Sequence, residues 1–180
     1  MSRIVIFASG EGTLFESIAA SMNQQKFGYE VVALVTNKPD CGAAQKALGL
    51  SIPKLTLAEF LSEEKYEGCW VLLAGYLRLV PSEVLQRHPK RVVNSHPSLL
   101  PKFGGKGMYG KFVHEAVIAS GEKESGFTLH YVSEKYDEGE VIFQQAIPVE
   151  EQETAKSLEE KIKAKEREKI PEILAELLNA

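Results

Sequence analysis

Hydrophobic positions along the chain fall into short β-branched runs, separated by stretches in which apolar residues recur every three to four positions. The runs are Arg3 to Ser9 (RIVIFAS), Tyr29 to Thr36 (YEVVALVT), a weak one at Pro53 to Thr56, Trp70 to Gly75 (WVLLAG) and Arg91 to His96 (RVVNSH). Their near-continuous apolar character predicts strands covered on both faces, as in a parallel sheet. Between them, Thr13 to Gln25 predicts a helix whose stripe is Phe15, Ile18, Ala19 and Met22, and Cys41 to Leu48 and Pro81 to Arg87 predict shorter ones. Strands alternating with helices give a doubly wound, mostly parallel, Rossmann-like α/β sheet.

The pattern changes in the last third of the chain. Phe127 to Val132 (FTLHYV) alternates with period two, and Glu140 to Val149 (EVIFQQAIPV) follows the turn-forming KYDEGE, which predicts two antiparallel strands added late to the sheet. Thr154 to Asn179 carries Ala155, Leu158, Ile162, Ile173, Leu174 and Leu177 among many Lys and Glu residues, an amphipathic C-terminal helix that Pro171 is expected to kink or restart. The charge run Lys163 to Lys169 (KAKEREK) reads as its solvated face. No repeat, linker or low-complexity tract interrupts the chain, so residues 1–180 are expected to form one domain.

Composition narrows the function. With 44% hydrophobic residues in 180, one sizeable core is expected, and the net charge of −4 supplies no basic field for a nucleic-acid backbone. Any anionic ligand must be held locally. Cys41 and Cys69 lack CxxC spacing and metal-like neighbours, so neither a disulfide scaffold nor a metal site is expected. The opening MSRIVIFASG is too short an apolar run for a signal peptide, and no run approaches the ~20 residues of a membrane span. A cytoplasmic protein with no membrane partner is expected, with monomer and homodimer both open.

Three segments carry chemistry. Ala8 to Thr13 (ASGEGT) lies where the first strand gives way to the first helix, a place where glycines and free N–H groups favour a phosphate. Phe15 stands where a dinucleotide fingerprint needs its third glycine and no Walker lysine follows, so a monophosphate fits better than NAD or ATP. Asn94 to Gly110 (NSHPSLLPKFGGKGMYG) leaves the carboxyl end of a strand, and Asn94 and His96, two residues apart in extended chain, point to one side. An amide donor beside an imidazolium would hold a developing oxyanion. Tyr136-Asp137-Glu138-Gly139 brings a carboxylate, whose neighbourhood would raise the imidazole pKa and keep His96 cationic near neutral pH. Taken alone, each segment also has an ordinary structural reading: a tight strand-to-helix turn, a core histidine, an acidic β-turn.

Together and in this order, these segments resemble the phosphoribosylglycinamide formyltransferase family. The likeness is most specific in VVNSHPSLLPKF, in VLLAGYLRLVP (Val71 to Pro81) and in GFTLHYVSEKYDEGEVIFQ (Gly126 to Gln144), and Gly104 to Val117 is similar to a variant loop of bacterial members. The resemblance implies Asn94, His96 and Asp137 as the catalytic set of a one-domain, folate-dependent formyltransferase acting without a metal. It implies that 10-formyltetrahydrofolate lies along Arg78, Leu79 and Val80, beside Asn94, and against the turn Glu134, Lys135, Tyr136, Asp137, Glu138 and Gly139. Glycinamide ribonucleotide would be held by Gly10, Glu11, Gly12, Thr13 and Leu14, by Pro97, and by Lys163 and Glu166, the carboxylate matching the family group that holds the amine. A cis bond is expected at Leu100-Pro101.

Three departures from the family bear on ligand binding. Leu14 stands where the family has Asn, removing a polar contact to the phosphate. Lys163 stands one turn before Glu166 where a neutral donor is common, so pairing between the two is expected to compete for the carboxylate. The stretch before Val71 is short, missing helix and an arginine associated with the folate tail. Formyl transfer to another amine, hydrolysis of formylfolate, and a non-catalytic folate or nucleotide binder are the competing readings.

Overall fold

A computed structural model describes residues 1–22 and 27–180. The last residues of the helix expected over Thr13 to Gln25, those beyond Met22, lie outside the described residues. Its strands are β1 (Ser2–Phe7), β2 (Tyr29–Val35), β3 (Lys54–Leu55), β4 (Trp70–Leu73), β5 (Val92–His96), β6 (Glu124–Tyr131) and β7 (Val141–Pro148). The helices are α1 (Thr13–Met22), α2 (Gly42–Gly49), α3 (Leu57–Ser62), α4 (Ser82–Arg87), α5 (Lys111–Ser120) and α6 (Ala155–Asn179).

The strands form one sheet in the order β3-β2-β1-β4-β5-β6-β7. β1 to β5 are parallel, and β6 and β7 add antiparallel at one edge. Alternation along β1 feeds two cores. Ile4 and Ile6 pack with Phe15 of α1, Ala43 of α2, Val117 of α5 and Leu158, Ile162 and Leu174 of α6. Val5 and Phe7 face the other way, onto Phe60 of α3, Tyr66 and Val84 of α4. Helices on both faces are what makes the strand interiors uniformly apolar.

The chain crosses α6 without a break. Pro171 cannot donate to the carbonyl of Arg167, but Ser17 Oγ on α1 donates to that carbonyl at 2.8 Å. Pro171 itself is buried, between the core residues Ile170 and Leu174, and its carbonyl accepts from Tyr29 Oη at 3.4 Å. The expected restart is therefore absent: tertiary packing and one replacement donor hold the helix where the isolated sequence would end it. The run Lys163 to Lys169 is not wholly solvated either, since Glu166 is only 7% exposed.

The crossover order leaves the carboxyl ends of β1 and β4 side by side, and β5 ends next to them. In an open parallel sheet this is where a crevice forms. The loops after β1, β4 and β5 leave from this edge, whereas the turn carrying Asp137 follows β6, which runs antiparallel to β5.

Candidate active site

The phosphate loop is built by packing as much as by glycine chemistry. Gly12 has φ of 71°, and a Cβ there would lie 2.5 Å from the Ala43 backbone, so the loop sits directly on the start of α2. The Gly10 carbonyl accepts from the Ala43 N–H at 3.0 Å, which leaves the N–H groups of the first turn of α1 facing outward. Ser9 ties this loop to the next: its Oγ bonds Asn37 Oδ1 at 2.5 Å and accepts from the Leu77 N–H at 3.2 Å. The segment after β4 is thus anchored against the segment after β1.

His96 ends β5, and the loop that follows is held from β6 and β7. Leu100-Pro101 is cis, as expected. The Leu100 N–H donates to Thr128 Oγ1 at 3.1 Å, Thr128 Oγ1 donates to the Ser98 carbonyl at 2.6 Å, and Gln144 Nε2 donates to the Leu100 carbonyl at 2.8 Å. The loop returns so that the Phe103 carbonyl accepts from His96 Nε2 at 2.9 Å.

Asp137 closes the cluster. It sits at φ of 57°, a left-handed turn position, and its Oδ1 is 3.5 Å from His96 Nδ1. Its Oδ2 accepts from the Gly105 N–H at 2.9 Å. Gly139, two residues on, leaves room for the turn: a Cβ there would fall 1.6 Å from the Tyr131 carbonyl oxygen. Burial pushes the Asp137 carboxyl upward, but the His130 and His96 rings beside it and the hydrogen bond from the Gly105 N–H outweigh burial and hold the pKa below the usual value.

For His96 the balance runs the other way. Burial lowers its pKa below the ordinary imidazole value, and the opposing pull of Asp137 and of the Phe103 carbonyl is smaller. The expectation of a resident cation at His96 is corrected on this point. The ring lies 4% exposed, so desolvation of the charged form exceeds what a carboxylate at 3.5 Å returns.

His130, which the sequence reading passed over, completes the arrangement. It lies directly across from Asn94 in the β5–β6 pairing. Its Nδ1 faces the Tyr131 carbonyl at 2.8 Å, so Nδ1 carries the proton, and the bare Nε2 accepts from Asn94 Nδ2 at 3.0 Å. The Asn94 amide is thereby fixed in rotation. Its second N–H points toward Asp137 Oδ1 at a long 3.4 Å, which leaves that donor only weakly committed.

These groups wall one cavity of about 660 Å³, within the range of small-molecule sites. Gly10, Glu11, Gly12, Thr13 and Leu14 line it, together with Asn94, His96, Pro97 and Asp137 and with Arg78, Leu79, Val80, Lys135 and Tyr136. Glu134, Glu138 and Gly139 are not in the wall; Glu138 pairs with Lys135 at 3.5 Å on the surface. Leu14 lines the cavity while also packing on the main core. Gly105 to Gly110 and His114 contribute a further side, which the sequence had shown only as a loop.

Lys163 and Glu166 both reach this wall but do not pair. Lys163 Nζ bonds Glu159 Oε1 at 2.5 Å, one turn earlier on the half-exposed side of α6. A glutamate four residues before a lysine is the favoured orientation, and it draws the cation away. Glu166 instead accepts from Ser95 Oγ at 2.5 Å, and its burial raises its pKa above the ordinary glutamate value. Among the described residues no group of three or more His, Cys, Asp or Glu is arranged to hold a metal, and no helix is long and apolar enough to cross a membrane.

A family model described as formyl transferase matches residues 2–174. The chain is 39% identical over 186 residues to the chloroplastic phosphoribosylglycinamide formyltransferase of Arabidopsis thaliana, an alignment covering 96% of this chain and 64% of that protein. Against the Vigna unguiculata protein of the same name it spans 60% of the length, so the chain covers less than two thirds of these plant relatives. The Bacillus subtilis phosphoribosylglycinamide formyltransferase is 31% identical over 191 residues, covering 99% of this chain and 95% of that one. Among solved structures, the Bacillus halodurans phosphoribosylglycinamide formyltransferase superposes with a TM-score of 0.89 at 36% identity, covering 98% of this chain and 95% of that one. Glycinamide ribonucleotide transformylase 1 of Geobacillus kaustophilus superposes with a TM-score of 0.88 at 34% identity, covering 99% of each. With the cluster of Asn94, His96 and Asp137 at the rim of a sheet of this order, these likenesses are sufficient: the chain belongs to the phosphoribosylglycinamide formyltransferase family.

Proposed function

We propose that this chain transfers the formyl group of 10-formyltetrahydrofolate to the primary amine of glycinamide ribonucleotide. The observation that carries the reading is the meeting of Asn94, His96 and Asp137 in a single cavity that is also lined by the phosphate-compatible loop Gly10 to Leu14 and by Leu79, Val80 and Tyr136. The ribose phosphate would take the N–H groups at Gly12 and Thr13, and the folate would lie against Leu79, Val80 and Tyr136. The two cysteines are free thiols, which suits the cytoplasm.

The amine attacks the formyl carbon, a C–N bond forms and the carbonyl oxygen gains the negative charge. The loosely committed second N–H of Asn94 supplies one donor to that oxygen. His96, neutral before the reaction, sits next to the developing charge and next to an ionised Asp137, and both favour its taking up a proton at that stage. Collapse breaks the bond from carbon to the folate nitrogen. That nitrogen takes up a proton as tetrahydrofolate leaves, and the attacking amine gives one up, with Asp137 and water carrying it. The fixed amide and the buried ring cost little reorganisation when charge appears, which is where such a site gains rate.

Formyl loss from 10-formyltetrahydrofolate, followed with and without glycinamide ribonucleotide, tests the reading. Loss only with the ribonucleotide is the expected result. Loss without it would mean hydrolysis, and no loss under either condition would mean a binding protein.

The phosphate end gives a second expected outcome. Leu14→Asn restores a polar group at the start of α1 and should lower the KM for the ribonucleotide with little change in kcat, as for an interaction made equally in ground and transition states. Because Leu14 also packs on the core, the melting temperature should fall slightly. Steady-state kinetics and a thermal melt read both, and an unchanged KM would show that this position does not meet the phosphate.

A further inference from the structure

His114, on the inner side of α5, is the buried group that the catalytic cluster does not use. It is 1% exposed, and its Nδ1 is sealed from water with no hydrogen-bond partner. Among the described residues Nε2 forms no hydrogen bond either. A buried imidazole nitrogen without a hydrogen-bond partner is uncommon, so such a residue calls for an explanation. It lines the same cavity as Glu159, Lys163 and Glu166 of α6, and the charges that act on it are those of Glu159, Lys163 and His96.

The chemistry of the missing partner is narrow. Burial, with Lys163 and His96 adding to it and Glu159 opposing, pushes the His114 pKa down to about 4, so the ring is neutral at working pH. A neutral imidazole offers one lone pair and one N–H, and gives no special advantage to an anion. A hydroxyl, which accepts and donates, matches either tautomer. The neighbours make the same point: Lys163 is a donor and Glu159 an acceptor, already bonded to each other across the wall at 2.5 Å. A donor, an acceptor and a neutral imidazole on one surface suit the hydroxyl face of a sugar.

We propose that His114 is a positioning and specificity residue that hydrogen-bonds a sugar hydroxyl of the amine substrate and holds its amine at the distance set by the phosphate loop. This rests on the proposed reaction, and α5 supplies it from the segment that follows the Gly104 to Gly110 loop.

The test compares wild type with His114→Phe, which keeps ring volume and removes both nitrogens, and His114→Gln, which keeps a neutral donor and acceptor. Each is assayed with glycinamide ribonucleotide and with its 2′-deoxy and 3′-deoxy forms. His114→Phe should raise the KM for the ribonucleotide about tenfold, with a much smaller change in kcat and none in the KM for formylfolate, and His114→Gln should recover part of the loss. One deoxy substrate should be poorer than the ribonucleotide for wild type, yet equal to it for His114→Phe, because the hydroxyl has lost its partner. Unchanged discrimination between ribo and deoxy substrates in a folded His114→Phe, checked by its thermal melt, would overturn the assignment. So would a shift confined to the formylfolate KM. Failure of wild type to formylate the ribonucleotide at all would remove the reaction itself, which keeps the two claims separable.

Discussion

Asn94→Ala and His96→Ala should each lower turnover by at least ~100-fold while the protein stays folded, if their common task is to stabilise the tetrahedral oxyanion. The expectation follows from how each group is held. Asn94 has one amide N–H tied to His130 Nε2 at 3.0 Å, so the other faces the reaction centre without rotational search. His96 is anchored through Nε2 to the Phe103 carbonyl, leaving Nδ1 turned toward Asp137. Truncating either removes an interaction that strengthens only as charge builds on the substrate oxygen, so kcat should fall and the KM values should move little. Steady-state kinetics with a melting curve for each variant checks this, and turnover within a few-fold of wild type would take that residue out of the reaction.

How much of this was readable in the sequence depended on whether a feature was local. The strands were legible because runs such as IVIF and VVALV are apolar on both faces, and only a sheet sandwiched by helices uses such runs. Asn94 and His96 were legible because two residues apart on a strand is a fixed geometry. α3 carried its own signal, a capping box in which Thr56 and Glu59 serve each other's backbone N–H groups, but six residues are too few for a hydrophobic period to register. α5 was hidden behind the Gly-rich segment before it, which made Lys111 to Val117 look like the continuation of a loop. His130 could not be found locally at all, since its role comes from lying opposite Asn94, a matter of strand register. The same holds for the charge on His96: a nearby carboxylate can be guessed from sequence, whereas the burial of this residue cannot. Pro171 shows the reverse case, a strong local rule overridden by a serine on another helix.

Glu166→Gln should separate activity from stability, moving them in opposite directions. At the cavity wall the carboxylate is the group proposed to hold the substrate amine, and replacing it with an amide removes a buried charge partner. Losses of that kind run to about 2–5 kcal/mol, so kcat/KM for the ribonucleotide should drop by ~100-fold or more. Without substrate the same carboxylate is a burden. Its pKa in the folded protein is raised from 4.5 by burial, the hydrogen bond from Ser95 and the charges of Lys163 and Arg167 opposing this only in part. A raised carboxyl pKa stabilises the fold below the unfolded value, and that stability is lost as pH rises toward the folded value, because the unfolded chain ionises freely and the folded one does not. Glu166→Gln cannot ionise, and its amide oxygen can still accept from Ser95 Oγ. Its melting temperature should match wild type near pH 4 and exceed it at pH 7 to 8. Melts across this range, beside kinetics at pH 7.5, decide the matter: a variant that gains no stability with rising pH has no strained carboxylate to lose, and one that keeps wild-type kcat/KM shows that Glu166 does not meet the amine.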